Sequence, residues 1–103
     1  MSHTLVKRST VVVPWREGLH LRQAVKLVQL GKFFRSTIAL KHGSRMADLR
    51  SIVSILMLCA TMGTSLDLEV SGDDETDAVR AVEQAFAGRP HPVSTSNPAQ
   101  SGG

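Results

Sequence analysis

The sequence is poor in the residue types that several classes of protein require. It contains one cysteine, no tyrosine, one tryptophan and three phenylalanines among 103 residues. A single cysteine excludes an internal disulfide and favours the cytosol, and we expect Cys59, which lies in an apolar run, to be a small core residue. So few aromatics cannot stack a series of bases, and the basic residues behind the net charge of +3 are scattered along the chain. Nucleic acid is therefore not expected as a partner.

Long apolar runs are absent as well, which argues against insertion into a membrane. The longest run, residues 52–62, is interrupted by Ser54 and Thr61 and is roughly half as long as a membrane span. Lys7 and Arg8 precede only a short run of valines, which is not the pattern of a secretory signal. Neither a metal-ligand spacing nor a nucleotide-binding glycine motif is present, so we expect no metal and no cofactor.

The first half of the chain has the pattern of a strand, a helix, a second strand and a short return strand. Residues 4–13 are rich in β-branched side chains, which is typical of a strand. Apolar residues then recur at helical spacing from near His20, and Gly31 is expected to end this helix. Alternation over residues 34–41 indicates a half-buried strand, and a glycine turn leads to a short return strand over residues 45–49.

The second half predicts two helices around one more strand. Ser51 is placed to cap a helix over residues 52–62, which is apolar nearly all round, so part of its surface should be available to a partner. Apolar and acidic residues alternate over residues 66–70, which indicates a strand with one wet face. A third helix then begins with Asp74 and other acidic residues and ends at Gly88.

The element order is therefore β-α-β-β-α-β-α, in the α+β class. The simplest packing is a four-stranded, largely antiparallel sheet with three helices on one face. Residues 1–88 would form this domain, since a chain of 103 residues has room for one modest core. Residues 89–103 are rich in proline, serine and glycine, and we expect a disordered tail there.

The stretch "EGLHLRQA", residues 17–24, holds the residues best suited to chemistry. It places His20 and Arg22 at the mouth of the first helix, where free N–H groups suit an anion. A neutral imidazole is nucleophilic near neutral pH. A lone histidine at a helix start is more often a cap or a surface residue, so the spacing by itself leaves both interpretations open.

The motif resembles the "GLHARPA" of HPr, the histidine-containing phosphocarrier of the bacterial phosphoenolpyruvate-dependent sugar phosphotransferase system. The similarity continues through "LRSIVSILML", which is similar to the family's "AKSIMGVMML", and covers roughly residues 4–88. The resemblance implies the HPr open-faced β-sandwich and a cytoplasmic, monomeric carrier that is not an enzyme. It also implies that His20 accepts a phosphoryl group from phospho-enzyme I and donates it to an enzyme IIA, while Arg22 stabilises the phosphate.

Two further sites follow from the resemblance. Ser51 aligns with a serine that a regulatory kinase phosphorylates in some HPr proteins, although plain capping, worth about 1 kcal/mol, is the simpler interpretation. Partners of the family dock on the start of the first helix and on the exposed side of the second. The corresponding positions here are Leu21, Ile52, Val53, Leu56 and Met57, beside Arg22. The alternative is that several of them belong to the core.

Three positions depart from the family pattern around the histidine. Gln23 replaces a proline, which leaves the helix start less rigid, and Leu21 replaces a small residue. Glu17 stands where asparagine is frequent, and its charge should mildly oppose phosphorylation. Gln23 and Leu21 favour an alternative function, an HPr-like regulatory or interaction module with weak or lost phosphotransfer that acts through Ser51 and the surface of the second helix, whereas the retained His20 and Arg22 oppose it.

Overall fold

A computed structural model describes residues 6–87 of the chain. The helices and strands within this range are β1 (Lys7–Val12), α1 (Leu21–Phe33), β2 (Thr37–His42), β3 (Arg45–Asp48), α2 (Ile52–Met57), β4 (Ser65–Ser71) and α3 (Glu75–Phe86). The α+β class and the element order match the prediction. The expected tail at residues 89–103, the first residues of the predicted first strand and the proposed helix end at Gly88 lie outside the described residues.

The four strands form one antiparallel sheet in the order β1-β4-β2-β3. The central strand β4 pairs with both β1 and β2, so that Leu66 lies opposite Val11 and Leu68 opposite Leu40. Side chains alternate across a strand, and every second residue of β4 is buried while the residues between them are exposed or half-buried. The helices therefore cover one face of the sheet. The core joins this face to the buried residues of α1 and α3, among them Leu27 and Val82.

Gly31 was expected to end the first helix, and this prediction is wrong. The helix runs on to Phe33, and Gly31 is a buried residue inside it. A Cβ atom at Gly31 would lie 2.8 Å from the carbonyl oxygen of Leu49, which is closer than packed atoms allow. The glycine therefore permits close approach between α1 and the segment after β3, and it does not act as a helix terminator.

The predicted second helix is too long. It ends at Met57 rather than Met62, although Ser51 caps it as expected, with its Oγ accepting a hydrogen bond from Ser54 N at 3.2 Å. Cys59 has a left-handed backbone, with φ of 52°, and it is exposed rather than part of the core. Leu58 and Ala60 on either side of it are both buried. A continuous helix cannot point residues two apart in one direction, so the chain leaves the helix here.

The second strand begins at Thr37, three residues later than predicted, because its expected first residues are held by a side chain instead. The backbone N–H groups of Arg35 and Ser36 both donate to the carboxylate of Asp74 at 2.9 Å, and Ser36 Oγ donates to it at 2.6 Å. These bonds, led by that of the Ser36 hydroxyl, lower the pKa of Asp74 below its ordinary value. The predicted alternation of buried residues is nevertheless present, from Phe34 to Leu40.

Candidate functional site

The loop before α1 is fastened to the segment after α2. Gly18 has φ of 80°, and a Cβ atom on it would lie 2.7 Å from the carbonyl oxygen of Ala60, so only glycine fits there. The next residue, Leu19, is buried in the core and donates its backbone N–H to Ala60 O at 2.9 Å. Gly18 thus permits the close approach of the two segments, and Leu19 anchors the loop in the core. The next residue, His20, therefore lies at the surface.

His20 is the cap residue of α1 and keeps its ring in the open. Its backbone is extended, with φ of −120° and ψ of −163°, and its carbonyl accepts the first hydrogen bond of the helix, from Ala24 N at 2.9 Å. The side chain is 53% exposed. The imidazole therefore lies at the N-terminal end of a thirteen-residue helix and is accessible to solvent. The expected start of the first helix near His20 is confirmed.

Gln23 is an ordered part of this helix start. Its side chain is buried, and its Oε1 accepts a hydrogen bond from the backbone N–H of His20 at 3.4 Å. Its Nε2 donates to Glu17 Oε2 at 3.2 Å. Sequence reasoning treated this residue as a loss of rigidity and missed both contacts. A signal was available, because a glutamine three residues after a helix cap is the spacing of a capping box.

Glu17 is held beside the ring of His20. Its Oε2 lies 3.9 Å from His20 Nε2, and its side chain is 44% exposed. The backbone N–H of Glu17 and the amide of Gln23 lower the pKa of this carboxyl, and the charges of His20 and Arg22 act in the same direction. Glu17 is therefore ionised at neutral pH and faces one of the two ring nitrogens of His20.

Arg22 occupies the first turn of α1, one residue after Leu21, and is exposed. After the hydrogen bonds from the Glu17 backbone and Gln23 and the charge of His20, its charge makes the smallest contribution that lowers the pKa of Glu17. The structure thus places Arg22 at the same helix end as His20, exposed to solvent, where its guanidinium is a candidate partner for an anion bound near the ring.

The residues expected to bind partners fall into two groups. Leu21, Val53 and Met57 are exposed by 57%, 69% and 61%. Ile52 and Leu56 are half-buried and pack against the core, as the alternative interpretation anticipated for some of the set. The helix is therefore anchored through part of its apolar surface and presents the remainder.

A groove of about 440 Å³ runs along the exposed side of α2. It is lined by Arg45, Met46, Ser51, Val53, Ser54, Met57 and Leu58. Sequence reasoning missed Arg45 and Met46, because their contact with α2 depends on how β3 packs. Arg45 Nη1 donates to the carbonyl oxygen of Met57 at 2.7 Å and so holds the last turn of the helix. Ser51, the candidate modification site, lies at the edge of this groove as the half-buried cap of α2.

No group of three or more histidine, cysteine, aspartate or glutamate side chains within residues 6–87 could hold a metal ion. None of the helices in this range is long and apolar enough to cross a bilayer.

Comparisons with known proteins agree on one family. Residues 7–88 match the family model described as the PTS HPr component phosphorylation site. The phosphocarrier protein HPr of Cupriavidus necator is 34% identical over 85 residues, which cover 82% of this chain and 94% of that protein. The phosphocarrier protein NPr of Proteus mirabilis is 38% identical over 77 residues, which cover 74% of this chain and 86% of that protein. The structure of an HPr from Bacillus anthracis superposes with a TM-score of 0.75 at 23% identity, covering 79% and 96% of the two chains, and shows the predicted open-faced fold.

Proposed function

Because the chain belongs to the HPr family of phosphocarriers, we propose that His20 takes a phosphoryl group from phospho-enzyme I and gives it to an enzyme IIA of the sugar phosphotransferase system. Members of this family carry the group and do not catalyse its transfer on their own. The observation that supports the proposal most directly is the half-exposed ring of His20 at the N-terminus of α1. We place this relay in the cytoplasm, the compartment that a single cysteine favours.

The proposed transfer uses Nδ1 of His20. Its Nε2 faces the carboxylate of Glu17 at 3.9 Å, which leaves Nδ1 as the nitrogen open to an incoming phosphorus atom. The lone pair of Nδ1 forms the new P–N bond while the bond that held the phosphorus to enzyme I breaks. The phosphoryl group brings close to two negative charges, which the N–H groups of the first turn and the charge of Arg22 stabilise. Such helix-end effects are worth about 0.3–1 kcal/mol each when exposed, which suits a group that must leave again.

The proposed docking surface is the exposed apolar part of the two helices, namely Leu21, Val53 and Met57, with Ile52 and Leu56 supporting it from beneath. Enzyme I and enzyme IIA would both use it, since it adjoins the ring that receives and donates the group. Phosphorylation of Ser51 by a serine kinase would add close to two negative charges at the edge of this apolar surface and oppose docking.

A second candidate is the HPr-like regulatory module with weak or lost phosphotransfer. It is favoured by Leu21, whose large and 57% exposed side chain directly follows His20 and must be accommodated by any partner. In that case binding through Ser51 and the α2 surface, rather than transfer through His20, would be the activity.

Incubation with enzyme I and phosphoenolpyruvate separates the two candidates. We expect wild type to gain one acid-labile phosphate by intact mass spectrometry and His20→Ala to gain none. Arg22→Ala should be labelled several-fold more slowly with an unchanged melting temperature, whereas Arg16→Ala, which removes an exposed arginine from the preceding loop, should match wild type. Wild type that stays unlabelled where an ordinary HPr is labelled would overturn the carrier proposal in favour of the module.

A further inference from the structure

We propose that Gln23 is a positioning residue which, through Glu17, keeps phosphorylated His20 ready to give up its phosphoryl group. The proposal rests on the function proposed above and adds to it a specific role for two residues. Both differ from the family motif quoted above or from its frequent variant.

The contacts form a short chain from the buried amide to the ring. Gln23 is 6% exposed, and both ends of its amide are engaged, one by the backbone of His20 and the other by Glu17. The same oxygen, Glu17 Oε2, lies 3.2 Å from Gln23 Nε2 and 3.9 Å from His20 Nε2. A loop glutamate without such a partner would sample solvent. The buried amide therefore fixes the carboxylate on one side of the imidazole.

A carboxylate in this place matters for the bond that must break. When the phosphoryl group leaves Nδ1, the electron pair of the P–N bond stays on Nδ1 and the acceptor nucleophile of the next carrier forms the new bond to phosphorus. If Nε2 carries a proton, His20 departs as a neutral imidazole. Without that proton it would depart as an imidazolide anion, which is a far poorer leaving group. A negative charge facing Nε2 favours the proton on that nitrogen and hence the labile form.

The other charged groups near the ring do not replace this effect. The charges that act on the Glu17 carboxyl are those of His20 and Arg22, and the charge of Arg22 is opposite in sign to that of Glu17. The segment after α2 that packs against Gly18 brings uncharged groups, Ala60 and Thr61, to this loop. Glu17 is therefore the negatively charged side chain that adjoins Nε2.

The test follows the decay of the phosphorylated protein. Wild type, Glu17→Gln, Gln23→Ala and the double variant are phosphorylated with enzyme I, separated from it, and followed by intact mass between pH 6 and pH 9. We expect Glu17→Gln to lengthen the half-life about fivefold at pH 8, the effect of one nearby charge on a half-exposed group, and by a smaller factor at pH 6, where the higher proton concentration makes the carboxylate less needed. Gln23→Ala should act in the same direction but less strongly, and the double variant should match Glu17→Gln, because Gln23 acts through Glu17. Gln29→Ala, which removes an exposed glutamine of the same helix, should match wild type.

The outcomes are distinguishable from those of the proposed function. If wild type is labelled but Glu17→Gln decays at the wild-type rate at every pH, the inference is overturned and the carrier function stands. If Gln23→Ala changes the half-life equally in the Glu17→Gln background, Gln23 does not act through Glu17 and the inference is again overturned. Because Glu17 is 44% exposed, Glu17→Gln leaves the core untouched and carries the test even if Gln23→Ala destabilises the fold. Wild type that takes no label at all overturns the function and the inference together.

Discussion

A polar side chain precedes both α1 and α3, but only the one before α3 is engaged in hydrogen bonds with another part of the fold. Asp74 precedes α3 and commits its carboxylate to three bonds of 2.6–2.9 Å with the segment that leads into β2. His20 precedes α1 and leaves a ring that is 53% exposed, with a carboxylate 3.9 Å away. One side chain holds two parts of the fold together and the other leaves its ring open to solvent. What separates them is whether the fold itself occupies the polar atoms of the side chain.

The surroundings of the two helix starts explain this difference. Near Asp74 the chain is packed through side chains: Ser36 is 0% exposed, and a Cβ atom on Gly72 would lie 2.6 Å from it. Near His20 the packing is carried by the backbone of Gly18 and by the side chain of Leu19. The fold therefore positions His20 through its backbone and its neighbours, and it leaves the ring 53% exposed. If this comparison is correct, mutations at the two starts should affect different properties.

Asp74→Ala should cause the largest loss of stability. Without the carboxylate, the N–H and hydroxyl of the buried Ser36 lose their acceptor, and an unsatisfied buried group costs about 1–3 kcal/mol. We expect the free energy of unfolding in urea to fall by about 2 kcal/mol. Phosphate labelling of the protein that remains folded should continue at the normal rate.

Asp73→Ala is the matched control for this variant. Asp73 is the preceding residue, its side chain is 85% exposed, and its ion pair with Arg35 at 3.7 Å is equally exposed. Such pairs contribute little, so the stability should stay within about 0.5 kcal/mol of wild type. Equal losses of unfolding free energy in the two variants would mean that the Asp74 carboxylate stabilises the fold no more than an exposed loop residue does.

Lowering the pH should remove the stability that the ionised Asp74 carboxylate contributes to the fold. The pKa of Asp74 is lowered in the folded state by its hydrogen bonds to Ser36 and Arg35, so folding favours the ionised form. This stability is fully present above the unfolded value of about 3.9 and is lost as the pH falls through the folded pKa. The difference in unfolding free energy between wild type and Asp74→Asn should therefore be constant near neutrality and shrink below about pH 4. Glu17 and Glu69 also have lowered pKa values, but both are present in the two proteins and cancel in this difference. A difference that grows in acid would contradict the assignment.

The start of α2 should give an intermediate result. Ser51 Oγ accepts one hydrogen bond, from Ser54 N at 3.2 Å, so Ser51→Ala should lower the free energy of unfolding by about 1 kcal/mol. Ser51→Asp retains a cap oxygen and a favourable charge at the helix start, and it should recover most of this loss. Thermal unfolding of the three proteins measures the effect. An unchanged stability in Ser51→Ala would show that the cap is unimportant and would leave Ser51 available for a purely regulatory role.

The sequence predicted the fold where local pattern and tertiary packing agree. Alternation of apolar and polar residues placed β4, and the capping position of Ser51 placed the start of α2. It failed at Gly31 and Cys59, because the first is required by contact with Leu49 and the second by the need to bury residues on both of its sides. Neither constraint is visible in local periodicity.

The position of the candidate residue, an exposed imidazole at a helix start, was predictable from the sequence, and its surroundings were not. The motif around His20 indicated an exposed imidazole at a helix start, and the structure has one. The bond from Gln23 to Glu17 was missed because it depends on the burial of an amide that a surface helix usually exposes. A polar residue at a helix start therefore has to be judged by its partners in three dimensions.

His20→Ala should have the smallest effect on stability and so complete the comparison. The hydrogen bonds at this helix start use the backbone of His20. Its carbonyl accepts from Ala24 N and its N–H donates to Gln23 Oε1, and both bonds survive the substitution. The lost ring is half exposed, and changes at such positions usually stay within about 0.5 kcal/mol. Urea unfolding should therefore be close to that of wild type, while labelling by enzyme I is abolished. A loss as large as that of Asp74→Ala would mean that the ring serves the fold, and the contrast between the two helix starts would no longer hold. A stable protein that takes no label would show that the imidazole does not contribute to folding. This is required of a side chain that is phosphorylated and dephosphorylated repeatedly.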